Sequence, residues 1–412
     1  MQCFRSFAFE ISIKEPRLEW LLREFRQLVN KSIRVALQQN IRSRARLAQV
    51  AYAGFSREHE VYKQYIPSAF EVALGALKAH RRRLAKGRTS SVPYVRKLML
   101  KAENQTYRLD RETGRIRIPV RSREYIDFDL PLTKWHRRYF ANPEWSLGSL
   151  TLIPGKAIVV LRKQSDRTYE PGTALALDTN EDSLDGAFAR GGSAHLVSVS
   201  LGGVRRVQGI HFRRRRRIAR GKAHDRRVSR CLLAREGGRE RNRVRQRLHC
   251  VSKKLVDIAS IGRMAIVLEE LHIQGSGVGS RHGSRRLSSW PRREIHRQIE
   301  YKARLAGVPI VKVNPAWTSK TCPVCGARRR DRVGNVFVCL MCDWEMDRQI
   351  NAGLNILKTA LASNEALARA VRFQPGALRH DVVSPLYGLL REGGGAREEP
   401  SGVESRPARG LT

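Results

Sequence analysis

Hydrophobic and polar positions change period along the chain, and the changes mark out its elements. Residues 4–13 alternate between apolar and polar, which predicts an opening β-strand. From residue 17 to about 85 the period becomes helical, with Leu21, Leu22, Phe25, Leu28 and Val29 on one face. Alternation returns in TYRLD, RIRIPV and YIDFDL between Tyr107 and Leu132, with Gly114 at a turn between the first two. Ser146 to Lys163 reads as a hairpin turning at Pro154-Gly155. A β-rich module, interrupted by a helical insert over about 17–103, therefore spans residues 1–168. A second domain opens at Gly172–Phe188, an apolar strand ending in Asp178, then a turn and a further strand. Residues 205–262 are helical, Ala265–Leu271 is an apolar strand, Trp290–Ala306 is an amphipathic helix and Val308–Asn314 is a strand. Alternating strands and helices of this kind predict an α/β fold. A helix is expected to open at Asp343, directly behind the last cysteine. From about 365 to 412, GGG, Glu-Glu-Pro and Ser-Gly segments predict a mostly disordered tail, with a short helix near 382–390.

Charge narrows the possible partners. Lys and Arg number 79 against 38 Asp and Glu, a formal excess of +41 over 412 residues. Such an excess repels itself in a compact state unless a polyanion neutralises it, which points to nucleic acid. Two runs stand out as phosphate-binding candidates: Arg213, Arg214, Arg215, Arg216 and Arg217, then Arg241, Arg243 and Arg245. No apolar run reaches transmembrane length, and the alternating N-terminus lacks the apolar core of a signal peptide. No membrane partner is expected, and the expected location is the cytoplasm, beside the nucleoid. P-loop, dinucleotide and Gly-x-Ser-x-Gly fingerprints are absent.

The chemistry concentrates in two places. CPVCGARRRDRVGNVFVCLMC carries two Cys-x-x-Cys knuckles. Cys322, Cys325, Cys339 and Cys342 can converge on one ion, and a closed four-thiolate shell suits a structural Zn2+. Cys3, Cys231 and Cys250 remain over, and the odd remainder argues for a reducing compartment. Asp178 and Glu269 each end an apolar strand. Acids on adjacent strand edges can hold Mg2+ ions against a phosphate.

NRVRQRLHCVSKKLVDIA, IVLEEL, IEYKARLAGVPIVKVNPAWTSKTCPVCG and CLMCDWEMDRQINAGLNIL follow one another over about residues 172–360. In that order they resemble the TnpB (OrfB) family of transposon-encoded RNA-guided nucleases, relatives of the type V CRISPR effectors. The resemblance implies an RNase H-like, RuvC-type nuclease domain (169–317, closing helix 347–364) with an inserted zinc ribbon (318–346), preceded by a wedge and recognition module. It implies a guide RNA, a target DNA and Mg2+-dependent cleavage. By position Asp178 matches the first catalytic Asp and Glu269 the catalytic Glu, with Glu270 on the other side of the strand. The Gly/Ser-rich loop Gln274–Arg286 resembles a lid over the active site. The family's third acid falls on Gln349, in Asp347-Arg348-Gln349-Ile350-Asn351-Ala352-Gly353. An amide can coordinate a metal but brings no charge. Asp347 lies about 200° around the helix from position 349 and suits an N-cap. The alternatives are that Asp347 or Glu345 replaces the missing acid, that the protein binds guide and target without cutting, or that it is a decayed copy. An accessory transposition protein that binds DNA ends is a further reading.

Overall fold

The computed structural model describes residues 2–13, 15–164, 168–190, 193–270, 289–328 and 336–371. The chain divides into two compact units, Met1–Ser165 and Asp166–Thr412.

In the first unit, β1 (Gln2–Glu10) alternates as predicted and buries Phe7 and Phe9. Three helices follow, α1 (Pro16–Gln38), α2 (Arg44–Glu58) and α3 (Tyr65–Leu84). The stripe read from the sequence, Leu21 to Val29, is fully buried on α1. After β2 (Leu100–Ala102) comes a meander of β3 (Arg108–Leu109), β4 (Arg115–Arg121) and β5 (Glu124–Asp129). A short helix, α4 (Lys134–Phe140), precedes the hairpin of β6 (Ser146–Ile153) and β7 (Lys156–Gln164). Gly155 at its turn has φ 77°, the left-handed conformation that favours glycine. The sheet order is β1-β7-β6-β2, so the helical insert is spliced between two strands of one antiparallel sheet. β2 and α4 escape the sequence pattern because each is too short to show a period.

The second unit is built on a five-stranded sheet. β8 (Thr173–Thr179), β9 (Ser183–Arg190) and β10 (Ser193–Ser200) form an antiparallel meander. Helices α5 (Val204–Gly221) and α6 (Arg226–Ile261) lead to β11 (Met264–Glu269), which pairs parallel with β8. Helix α7 (Arg292–Leu305) then leads to β12 (Ile310–Val313), parallel to β11, giving the order β10-β9-β8-β11-β12. The two faces differ in bulk. Leu175, Leu177, Phe188, Ile266 and Leu268 share a core with α5, α6 and α7. Ala174, Ala176, Ala187, Ala189 and Ala265 face α8 (Arg348–Ser363). Small residues let this helix approach the strands closely. A Cβ on Gly353 would lie 2.1 Å from Gly186 Cα, and one on Gly186 would lie 1.9 Å from the Ala176 carbonyl oxygen.

The segment before α8 departs from expectation. Residues 345–347 are not helical but form β14 (Glu345–Asp347), paired with β13 (Val336–Val338). Trp344 is buried and its carbonyl accepts from the Cys339 N–H (2.8 Å), so the chain stays extended until the knuckle is closed. A second correction concerns the tail. Residues 365–370 form α9 (Glu365–Ala370), capped by Asn364, and Leu367 and Val371 join the core beside α8. The loop Gln274–Arg286 and the tail beyond 371, with its expected helix at 382–390, lie outside the described residues.

Candidate active site

Strand register brings the two predicted acids together. Leu177 pairs with Leu268, so Asp178 and Glu269 occupy the next positions at the same end of neighbouring parallel strands. Each lies two residues beyond an alanine- or valine-bearing position of the α8 face, Ala176 and Val267, and therefore emerges on that face. Burial pushes Asp178 up to about 7, reinforced by the charges of Glu269 and Asp185 and opposed by the Thr179 N–H and Arg348. Burial also raises Glu269, against a hydrogen bond from Thr318 Oγ1 (2.6 Å) and the charge of Arg292. Glu270 is exposed, as its place one residue on requires.

A third carboxylate in this group escaped the sequence reading. Asp185 on β9 pairs directly with Asp178 across the antiparallel ladder, so both project from the same face. It is buried, and accepts from Asn180 Nδ2 (2.8 Å) and from the hydroxyls of Ser183 and Ser198. The clue was in the sequence: a two-residue turn at 181–182 between two strands makes 178 and 185 partners by counting. Two cations border the acids. Arg292 stacks on Trp290 at 3.9 Å, and burial lowers its pKa while Glu269 holds it charged. Arg348, the first residue of α8, acts on Asp178. His296, pushed down to about 4 by burial, hydrogen-bonds Thr179 Oγ1 (2.7 Å) behind the strand end.

Asp347 is exposed and caps α8, accepting from the N–H groups of Gln349 (2.8 Å) and Ile350 (3.3 Å). Glu345 on β14 is exposed as well, while Gln349 is half-buried in the first helical turn.

The four cysteines converge. Their sulfurs lie within 4.8 Å of one another, the one such group of three or more His, Cys, Asp or Glu donors among the described residues. Cys322 and Cys342 Sγ are 3.6 Å apart, and Cys325 and Cys339 Sγ are 3.5 Å apart. A tetrahedron with metal–sulfur bonds of about 2.3 Å has edges of roughly 3.8 Å, so the four fit a thiolate shell of that size. Burial would raise Cys339, but N–H groups from Met341 and Cys342 and neighbouring thiols outweigh it and bring it down to about 7. Trp317, beside the first knuckle, is 47% exposed with Lys320 and Arg328 over its ring; the packed tryptophan is Trp344.

The basic runs lie on α5 and α6, which pack together through a buried hydrogen bond and a half-buried ion pair. His211 Nδ1 meets Glu236 at 2.7 Å, both fully enclosed, and Arg215 pairs with Glu240. Arg213, Arg214, Arg216, Arg217, Arg241, Arg243 and Arg245 are exposed, although Arg214 also meets Glu236 (3.7 Å), Arg243 reaches His211 Nε2 (3.4 Å) and Arg245 meets Glu294 (3.9 Å). No helix among the described residues is long and apolar enough to cross a membrane.

The family model "Cas12f1-like, TNB domain" matches residues 293–356, from α7 through the knuckles into α8. The model of the uncharacterized protein MJ0013 family matches residues 21–119. A TnpB-like protein of Methanocaldococcus jannaschii is 25% identical over 257 residues, covering 60% of this chain and 91% of its own. A second from that organism is 24% identical over 311 residues, covering 73% and 69%. The CRISPR-associated endodeoxyribonuclease Cas12f1 of Sulfoacidibacillus thermotolerans is 37% identical over 76 residues, 18% of each chain. Among solved structures, a Cas12f1–sgRNA–target DNA complex aligns over 84% of this chain and 83% of that one, with a TM-score of 0.59 and 15% identity. The mini RNA-guided endonuclease CRISPR-Cas_phi3 aligns over 87% and 92%, with a TM-score of 0.52 and 11% identity. These likenesses define the fold class, an α/β architecture like that of the Cas12f effectors. The curated relatives and the matched TNB region, taken with this fold, support a TnpB and type V-related family.

Proposed function

We propose that the protein is an RNA-guided DNA endonuclease of the TnpB type, associated with a transposon, with a RuvC-type centre at Asp178 and Glu269 and a structural zinc ribbon. One observation carries this reading: two half-buried acids from adjacent parallel strands share one face beneath a helix N-terminus, with Asp178 pushed up to about 7. Carboxylates whose burial and mutual repulsion oppose ionisation are poised to gain from a divalent cation. The donor set, oxygens only, suits Mg2+. Asp178 and Glu269 would hold it, and when bound it polarises a phosphodiester and activates water. Asp185 offers a third carboxylate where Gln349 offers none, from the neighbouring strand beside Asp178. Arg292 and Arg348 offer donors to phosphate oxygens. The four cysteines hold Zn2+, and the exposed arginines of α5 and α6 hold guide RNA and heteroduplex backbone.

The experiment is purification followed by nuclease assay. Discrete RNA is expected to copurify, and DNA matching it is expected to be cut in Mg2+ but not by Asp178→Asn or Glu269→Gln. Protein free of RNA would overturn the guided reading. Gln349 gives a second reading its specific support: guided binding without cutting. Under it, wild type binds matched DNA intact and Gln349→Asp restores cleavage.

A further inference from the structure

We infer that Thr318 is a positioning residue for Glu269, and that the cysteine knuckles set its place through Asn355 of α8. The inference rests on the nuclease reading of Glu269, and its test is arranged to separate the two.

Thr318 lies in the turn between β12 and the first knuckle, where Trp317 adopts φ 69° and reverses the chain. The turn is closed by the Lys320 N–H and the Thr321 hydroxyl, both donating to the Trp317 carbonyl. Thr318 is only 6% exposed, and its Oγ1 donates to Glu269 Oε1 at 2.6 Å. Among the described residues it is the hydrogen-bond donor to that carboxylate. A donor on one oxygen fixes the plane of the carboxylate and leaves Oε2 for another ligand.

Thr318 is itself held from the far side. Asn355 is 5% exposed, and its Nδ2 reaches the carbonyls of Thr318 (2.8 Å), Thr321 (2.7 Å) and Asn351 (3.1 Å). Asn351, fully buried one turn earlier, donates to the Thr321 carbonyl at 3.1 Å. Two buried amides on an otherwise apolar helix face cost desolvation unless they satisfy groups that would otherwise be orphaned. Here they satisfy the carbonyls of an irregular turn, which has no ladder of its own. Thr321 adjoins Cys322, the first metal-binding cysteine. A continuous path thus runs from the knuckle, through the Thr321 and Thr318 backbone clamped by α8, to the Thr318 hydroxyl and Glu269. Loss of the knuckle would release the turn and leave Glu269 free to rotate.

The probe is Mn2+ alone, titrated into guide-free protein with free Mn2+ followed by electron paramagnetic resonance. Thr318→Val keeps the shape and removes the hydroxyl; its Mn2+ affinity is expected to fall about tenfold, the scale of one hydrogen bond to a charged group. Thr318→Ser is expected within about twofold of wild type. Asn355→Ala touches no acid yet is expected to weaken Mn2+ binding. The double variant should bind no more weakly than the worse single, because both act through one path. Zinc content retained in every variant excludes a collapsed ribbon. Urea unfolding without divalent cations provides the second readout. Thr318→Val is expected to cost more stability in wild type than in a Glu269→Ala background, where the hydroxyl keeps only the Pro315 carbonyl (3.1 Å) as acceptor. Equal cost in both backgrounds, or Mn2+ affinity unchanged by Thr318→Val, would overturn the inference. A wild type with no Mn2+ site sensitive to Asp178→Asn would sink the nuclease reading instead, and the urea cycle would still decide the relay.

Discussion

At the scale of single residues, the site is a problem of charge held out of water. Asp178 would ionise in the ordinary carboxylate range if exposed; buried beside Glu269 and across from Asp185 it is pushed up to about 7. A raised folded-state pKa on an acid means the folded protein resists ionisation. The penalty is absent below the unfolded value of 3.8, grows as pH rises, and is complete above about 7. Without Mg2+, Asp178→Asn is therefore expected to match wild type near pH 4 and to exceed it by roughly 2–4 kcal/mol at pH 8. Urea midpoints across pH measure this, and Mg2+ should stabilise wild type more than the variant. A constant difference at all pH values would mean that Asp178 carries no such penalty. Sequence reading reached Asp178 and Glu269 because strand ends are visible as pattern. It missed Asp185 because a carboxylate inside a strand reads as solvent-facing until register is counted across the turn.

At the scale of elements, α8 is the part that decides whether the site closes. Its approach depends on Gly353 against Gly186, where backbone meets backbone. Gly353→Ala demands that a Cβ share space with Gly186 Cα, with no flexible side chain to yield. It is expected to destabilise the second unit by about 1–3 kcal/mol or more and, under the proposed function, to lower Mg2+-dependent cleavage as α8 lifts from the acids. Thermal unfolding and cleavage assays check both, and an unchanged melting temperature would contradict the contact. Glu236 makes a second case. It is enclosed with His211 between two helices crowded with arginine. Glu236→Leu leaves buried His211 Nδ1 without its hydrogen-bond partner and is expected to cost about 1–3 kcal/mol, read as a drop in urea midpoint. The long helices, the alternating strands and the knuckles were legible because each repeats its period or spacing several times. The helix start was misplaced by five residues, from 343 to 348, because residues 345–347 are held extended by pairing with β13 across the second knuckle, a contact with no mark inside the segment itself.

At the scale of the whole molecule, the excess of +41 has to be reconciled with stable folding. Much of it lies on α5 and α6, where Glu236 and Glu240 tie the helices together and the remaining arginines project outward. Like charges packed this densely store repulsion that a polyanion relieves, so a bound polyanion would also raise folding stability. The partition among arginines makes this testable. Arg213, Arg216, Arg217 and Arg241 are exposed, whereas Arg215 is paired with Glu240. Replacing the four exposed residues with Gln is expected to weaken RNA and DNA binding and to reduce the slope of log affinity against log salt by about 3–4, near one per lost phosphate contact. Arg215→Gln is expected to lower stability while leaving that slope nearly unchanged. Fluorescence anisotropy across a salt series, with urea unfolding on the same proteins, reads both effects. A fourfold variant with the wild-type slope would move the phosphate-binding surface off these helices, and a steep loss of slope in Arg215→Gln would mean that its pair with Glu240 opens on binding.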